Sequence, residues 1–225
     1  MQRRLEITED GSHTIFLSDI NEHYHSIHGA VQESNFIFID SGLKYLNKTS
    51  ENINILEIGF GTGLNALLSY YEAQKANNII NYFSVEPYPL EKEYFSKLNY
   101  PEFVDDKNAT QVFNKMHNCD WDKLIKISET FYLKKIKGFI QNINLNNILF
   151  DVVFFDAFSP KVQPQLWTDI VFEKIFLLMK KNGVFITYSA KGSVKRNLKK
   201  AGFIIENIPG PPGKREITRA IKINL

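Results

Sequence analysis

An apolar run, Ile53 to Leu56, leads into Glu57-Ile58-Gly59-Phe60-Gly61-Thr62-Gly63-Leu64-Asn65, and a helix-like stretch follows from Leu64 to Gln74. Strand, glycine turn and helix in that order form an opening unit of a doubly wound α/β sheet. Glycines let the backbone of such a turn pass close to a ligand, and the start of the helix offers backbone N–H groups without intrahelical partners. The pattern E-x-G-x-G-x-G departs from the dinucleotide fingerprint G-x-G-x-x-G, because the sixth position counted from Gly59 is Leu64 rather than glycine.

The rest of the chain continues the alternation. Strands are expected over residues 53–58, 80–85, 131–136, 150–155, 184–188, 203–206 and 216–223. Helices are expected over 64–74, 90–98, 106–117, 165–179 and 193–200. This predicts a Rossmann-like, mostly parallel sheet with helices on both faces, and the two consecutive strands at the end predict one antiparallel strand at the sheet edge. Between those last strands, Pro209-Gly210-Pro211-Pro212-Gly213 reads as a rigid loop. Upstream, residues 3–8 and 13–17 flank Glu9-Asp10-Gly11-Ser12 and read as a small hairpin. Phe36 to Ile39 reads as a short strand or as the start of a helix running to Leu46, and Gln141 to Asn147 as a polar loop. The expected division is an N-terminal extension, residues 1–50, packed on a main domain, residues 51–225.

At 225 residues and 44% apolar content the chain has enough material for a sizeable core. The net charge of +2 gives no polyanion signal by itself. Cys119 is the one cysteine, so neither an intramolecular disulfide nor a cysteine zinc cluster is available; it reads as a partly buried structural residue. Met1-Gln2-Arg3-Arg4 runs into polar residues without the apolar segment of a secretory signal, and no stretch has the length of a membrane span. The expectation is a cytoplasmic protein with no membrane association.

In doubly wound sheets ligands bind beyond the carboxyl ends of the strands, and three acidic or glycine-rich positions fall there. Glu57 lies two residues before the first glycine and suits a ligand with a cationic end, such as the amino group of S-adenosylmethionine (SAM). Glu86 ends the second parallel strand, where a carboxylate can accept both ribose hydroxyls of a nucleoside. Asp156 ends the apolar run Asp151-Val152-Val153-Phe154-Phe155. It could cap a helix, but Ser159-Pro160 and Pro164 move the next helix farther on, which leaves its carboxylate for the site. These features predict a SAM-dependent methyltransferase rather than a dehydrogenase. His23, His25 and His28 are spaced like metal ligands, but no cluster of acids or cysteines supports them, and no metal is expected. Between Lys174 and Ile205 there is no acid, while Lys191, Lys195 and Lys199 share a helical spacing with Arg196 beside them. Lys214 and Arg215 follow the proline–glycine loop. Such a stretch is either a solvated helix face or a contact for nucleic-acid phosphates.

Taken together, Glu57 to Asn65, then Phe155-Asp156-Ala157-Phe158-Ser159-Pro160 with Leu166-Trp167-Thr168, then Thr187-Tyr188-Ser189-Ala190, Ala201-Gly202-Phe203 and Gly213-Lys214-Arg215-Glu216 resemble the methyltransferase domain of the MnmC-type tRNA-modifying enzymes. Tyr24 to Phe38, including Gln32-Glu33-Ser34, is similar too. The resemblance implies methyl transfer from SAM to the amine of 5-aminomethyl-2-thiouridine at the tRNA wobble position. It implies a cofactor site of Glu57, Gly59, Phe60, Gly61, Thr62, Gly63, Asn65 and Glu86, with Asp156 and Phe158 near the reacting groups and Asp156 catalytic. Glu33, Lys191, Lys195, Arg196, Lys214 and Arg215 would face the tRNA. Many family members carry a FAD-dependent oxidoreductase domain after this one; this chain reads as a stand-alone form without FAD, a monomer that relies on an upstream enzyme for the aminomethyl group. The resemblance also places an acid near the adenine after the third parallel strand. This chain has Lys137-Gly138-Phe139 there, which leaves that contact to a backbone group or to Asn142. The competing readings are a small-molecule methyltransferase, an aminopropyl transferase of similar fold, and a non-catalytic SAM- or RNA-binding module.

Overall fold

The computed structural model describes residues 2–47, 51–145 and 147–223. The expected boundary between residues 50 and 51 abuts residues 48–50, which lie outside the described residues, as does Asn146 of the expected polar loop.

The hairpin forms as β1 (Arg3–Ile7) and β2 (His13–Leu17), and a two-residue β3 (Glu22–His23), too short to leave a periodic signal, adds a third antiparallel strand. Its turn is held by Asp10, whose Oδ1 accepts from Thr8 Oγ1 at 2.7 Å and from the Ser12 amide at 3.0 Å. Next, α1 (Ala30–Ser34) runs without a break into a π-helical segment, Asn35–Leu43, and a 3-10 turn, Lys44–Leu46, so Phe36 to Ile39 is helical rather than a strand. The stretch buries Ile37, Phe38, Ile39 and Leu43. Phe38 meets Phe154 of the main sheet with ring centroids 5.3 Å apart.

The main sheet is built from β4 (Asn52–Ile58), α2 (Leu64–Ala76), β5 (Ile79–Glu86), α3 (Lys92–Phe95), α4 (Ala109–Asn118), β6 (Ile125–Ser128), β7 (Phe131–Lys137), β8 (Phe150–Phe155), α5 (Asp169–Leu178), β9 (Met179–Thr187), α6 (Gly192–Lys200), β10 (Ile204–Pro209) and β11 (Glu216–Ile221). Its strand order is β10-β11-β9-β8-β4-β5-β7-β6. The pairs β9/β8, β8/β4, β4/β5 and β5/β7 are parallel. The expected antiparallel strand is β11, which lies one place in from the edge between β10 and β9, and a second, β6, closes the opposite edge. The helix expected over 90–98 shrinks to α3, because Pro87 and Pro89 precede it and Pro101 follows. Likewise α5 begins only at Asp169, behind the 3-10 turn opened by Pro164 and the Thr168 cap, whose Oγ1 accepts from the Val171 amide.

The chain builds the sheet outward from β4 to β5 and β7, then crosses back to β8 and β9. The direction therefore reverses between β4 and β8, where a crevice opens beyond the carboxyl ends of the strands. The strand β8 is buried along its whole length. Phe154 packs toward the N-terminal helical stretch, while Phe155 packs on the other face against Trp167 and Phe172. Each such ring contributes about 2–3 kcal/mol by leaving water, so the strand ends that carry the site stand on a rigid base. Among the described residues no helix is long and apolar enough to cross a membrane.

Candidate active site

A cavity of about 560 Å³ opens at that crevice. It falls within the range of small-molecule sites. Gly59, Phe60, Gly61, Thr62 and Asn65 line it from the glycine turn, Glu86 and Tyr88 from the end of β5, and Asp156 and Phe158 from the end of β8. Tyr24 and Glu33 reach it from the N-terminal stretch, and Lys214 from the loop between β10 and β11.

The three glycines answer to different neighbours. All have positive φ: 99° at Gly59, 49° at Gly61 and 75° at Gly63. A Cβ on Gly59 would stand 2.7 Å from the Asp156 carbonyl oxygen, and one on Gly63 would stand 2.7 Å from His117 Nε2. A Cβ on Gly61 would meet the Tyr24 ring at 3.1 Å. Gly59 thus allows the ends of β4 and β8 to close together. Gly63 faces His117 and Phe60 and is not among the residues lining the cavity.

Two neutral histidines fix Thr62 at the centre of the turn. His25 Nε2 lies 2.6 Å from Thr62 Oγ1, and His117 Nε2 lies 3.0 Å from the Thr62 carbonyl oxygen. Burial pushes His25 down to about 4 and His117 down to about 3. The backbone of His25 is in turn held by Thr14 of β2. His23 and His28 point elsewhere, to Glu6 at 2.9 Å and Glu9 at 3.0 Å, so the three histidines do not converge.

The carboxylates are arranged in two tiers. Glu57 is 1% exposed and does not line the cavity; its Oε2 accepts from Ser84 Oγ at 2.6 Å and its Oε1 from Asn65 Nδ2 at 3.1 Å. The same Asn65 Nδ2 donates to Asp156 Oδ2 at 2.9 Å. Asn65 thus bridges Glu57 to Asp156, and Asn65 and Asp156, rather than Glu57, line the cavity. Asn65 Oδ1 is buried with no hydrogen-bond partner among the described residues. It is a ready acceptor for a ligand's cationic end. Burial, and then the nearby Asp156 charge, push Glu57 up to about 8 against its hydrogen bonds from Ser84 and Asn65. Burial pushes Asp156 up to about 7, with Glu33 raising it further and Asn65 and Lys214 opposing. Glu86 accepts from the Gly61 amide at 3.0 Å and the Tyr88 amide at 2.7 Å, one bond per oxygen, which leaves a lone pair on each for a diol.

Past β7, Gly138, Phe139 and Ile140 line the cavity, and Phe139 sets its edge against Tyr88 with centroids 5.8 Å apart. Asn142 does not line it. It closes the 3-10 turn Ile140–Asn142. Tyr24 is an unforeseen wall residue: its ring meets Phe158 edge-on at 5.1 Å. Burial and the neighbouring Glu86 push its hydroxyl up to about 12, so it stays a neutral donor. The only sequence signal for it was its place in the segment Tyr24 to Phe38.

The basic residues divide. Lys195 Nζ is taken by Glu216 at 2.9 Å, and Lys200 pairs with Asp169. Lys191, Arg196 and Arg215 are exposed and have no ion pair among the described residues. Lys214 reaches into the cavity and meets Glu33 at 2.7 Å. Cys119 is half-buried and donates to the Met116 carbonyl.

Against known proteins, a family model described as S-adenosyl-L-methionine-dependent methyltransferase matches residues 106–223. The tRNA 5-methylaminomethyl-2-thiouridine biosynthesis bifunctional protein MnmC of Campylobacter hominis is 29% identical over 210 residues, covering 92% of this chain and 31% of that protein. The chain thus spans about a third of the length of the curated relatives it matches. The crystal structure of MNMC2 from Aquifex aeolicus superposes with a TM-score of 0.81 at 26% identity, over 98% of this chain and 70% of that one. A methyltransferase from Pyrococcus furiosus, at 15% identity and a TM-score of 0.50 over 92% of this chain and 91% of that one, shares the fold alone.

Proposed function

The chain belongs to the S-adenosyl-L-methionine-dependent methyltransferases, and from that premise we propose that it methylates the primary amine of 5-aminomethyl-2-thiouridine at the tRNA wobble position. The observation that carries the reading is Asp156. It is a cavity-facing carboxylate at the end of a buried strand, held by Asn65 and overlooked by Glu33 and Lys214 from the open side.

The residues present fit SAM. Asn65 Oδ1 offers a free acceptor to its ammonium, Glu86 keeps a lone pair on each oxygen for the ribose hydroxyls, and Phe139 and Ile140 form an apolar slot for the adenine. When bound, SAM supplies a methyl group already activated on a sulfonium. The protein's work is then to position the acceptor and remove its proton. An alkyl amine has a pKa of about 10.4 and arrives protonated. Asp156, whose own affinity for a proton is raised by burial, takes that proton and frees the nitrogen lone pair. Tyr24 and Phe158 wall the acceptor side, and Gly59 lets Asp156 sit against the glycine turn. Tyr24, from the N-terminal extension, supplies part of this wall.

Binding of tRNA falls to the exposed Lys191, Arg196 and Arg215, with Lys195 withdrawn by Glu216. Support for tRNA as acceptor comes from the similarity to the tRNA 5-methylaminomethyl-2-thiouridine biosynthesis proteins MnmC and from these exposed basic residues, and a role in tRNA modification would be carried out in the cytoplasm. Replacing Lys191, Arg196 and Arg215 together by glutamine is expected to raise the KM for tRNA and to flatten its dependence on log salt by about one unit per lost phosphate contact. SAM affinity, read by a thermal shift, should stay unchanged. A triple variant with wild-type KM and salt slope would show that this face does not touch RNA.

A further inference from the structure

Lys214 ends in a group chemically equivalent to the proposed acceptor, a methylene carrying an ammonium. Its Nζ sits 2.7 Å from Glu33 Oε2 and lies over the Tyr188 ring at 5.4 Å from the centroid. Lys214, Glu33, Tyr188 and Asp156 all line the same cavity. The side chains of Lys214 and Glu33 are 25% and 13% exposed, so this ion pair is largely shielded from solvent and joins the N-terminal stretch to the loop between β10 and β11 across the mouth. Glu33 is itself fixed: its Oε1 accepts from the Ser26 amide at 3.3 Å. The Tyr188 hydroxyl donates to the Ala157 carbonyl at 2.9 Å, which ties the ring to the residue after Asp156.

A carboxylate, an aromatic face and a second carboxylate behind them form a subsite for an alkylammonium. We propose, building on the methyltransferase reading above, that Glu33 and Tyr188 form the recognition subsite for the substrate's alkylammonium, and that Lys214 occupies it as a resident substitute until the substrate displaces it. The arriving ammonium pairs with Glu33 and stands over Tyr188. Lys214 swings out on its flexible stem toward solvent. Proton loss to Asp156 follows only once the amine is seated, so Glu33 recognises the charged form while Asp156 produces the neutral one. A neutral group in place of the amine, such as the hydrogen of an unmodified uridine, cannot displace Lys214 and gains nothing from the subsite.

The test is a ratio of affinities, measured with S-adenosylhomocysteine bound so that no transfer occurs. tRNA carrying 5-aminomethyl-2-thiouridine is compared with the same tRNA carrying 2-thiouridine. Phosphate contacts are common to both RNAs and cancel in the ratio. The wild type should prefer the aminomethyl tRNA, and Glu33→Gln, which preserves shape and the Ser26 hydrogen bond, should lower that preference by roughly tenfold, as for loss of one charged hydrogen bond. Glu33→Asp should recover part of it. Lys214→Met removes the resident competitor and should raise the preference severalfold, which also keeps the test decisive if Glu33→Gln loses SAM binding and has not folded. An unchanged ratio in a Glu33→Gln protein that binds SAM normally, or in Lys214→Met, overturns the inference. If the wild type transfers methyl to the aminomethyl tRNA while these ratios stay flat, only the subsite falls. If the wild type neither transfers to nor prefers that tRNA, the substrate reading falls and takes the subsite with it.

Discussion

Asp156→Asn is expected to lower the turnover number for methyl transfer by roughly two to four orders of magnitude, the usual contribution of a positioned general base. SAM affinity should change little. Asparagine keeps the volume of the side chain and an oxygen for Asn65 Nδ2, so the glycine turn and the cofactor contacts survive. What disappears is the capacity to take the amine's proton. The pH dependence gives an independent check. Burial raises the Asp156 carboxyl to about 7, so the group is neutral below that value and charged above it. A base must be charged to accept a proton, so wild-type transfer should rise with pH between 6 and 8, passing its midpoint near 7, and should be lost as the pH falls through that value. The variant should lack the midpoint near 7 and instead follow the free-amine fraction of the substrate, rising about tenfold per pH unit throughout the range from a much lower rate. Single-turnover rates across that range, with SAM binding measured in parallel, decide the matter. A variant within a few-fold of wild type that keeps the same rise would remove Asp156 from the chemistry.

Gly59→Ala is expected to destabilise the protein and disable transfer together. At φ 99° an L-residue is strained, and the added Cβ would stand 2.7 Å from the Asp156 carbonyl oxygen, a backbone atom that no rotamer change can move. Backbone strain of this kind costs about 1–3 kcal/mol. For a domain of this size that corresponds to a fall in Tm of roughly 2–12 °C at about 2–4 °C per kcal/mol. The alternative to strain is displacement: the end of β8 moves away from β4 and carries Asp156 with it. Gly61→Ala offers an internal comparison, because its Cβ would meet only the Tyr24 ring, which can tilt. Thermal unfolding and transfer rates of both variants separate the two cases. A Gly59→Ala protein with wild-type Tm and rate would mean that the close approach of β4 and β8 is not what places Asp156.

The parts of the fold that were legible in the sequence carry uninterrupted periodicity. The strands β4, β5 and β8, the helix α2 and the hairpin β1/β2 all lie where apolar spacing and turn residues put them. Legibility failed where the signal is short or where tertiary contact decides. The strand β3 has two residues, and Phe36 to Ile39 reads equally as a short strand or as the start of a helix to Leu46 until Phe38 is seen against Phe154. In the site, a strand-end rule identifies the positions of Glu57, Glu86 and Asp156, but not which side of the pleat faces the cavity. The sequence suggests a direct ligand role for Glu57, whose carboxylate in the structure is buried and bonded to Ser84 and Asn65. Tyr24 and His25 stand in segments that the sequence singles out, but their contacts at the glycine turn were not legible, because these residues reach it only through three-dimensional packing. The acid-free stretch from Lys174 to Ile205 looked like one basic face. Glu216 and Asp169, from outside it, neutralise Lys195 and Lys200 and leave a smaller free set.

The central claim is that the acceptor is the aminomethyl group of a wobble uridine. It is tested most directly by incubating the protein with methyl-labelled SAM and tRNA bearing 5-aminomethyl-2-thiouridine, digesting the RNA to nucleosides and locating the label by mass analysis. One labelled methyl is expected on the exocyclic amine of that nucleoside, and none in tRNA lacking the aminomethyl group. Label on another nucleoside, or label recovered only in small-molecule amines added alongside, would contradict it.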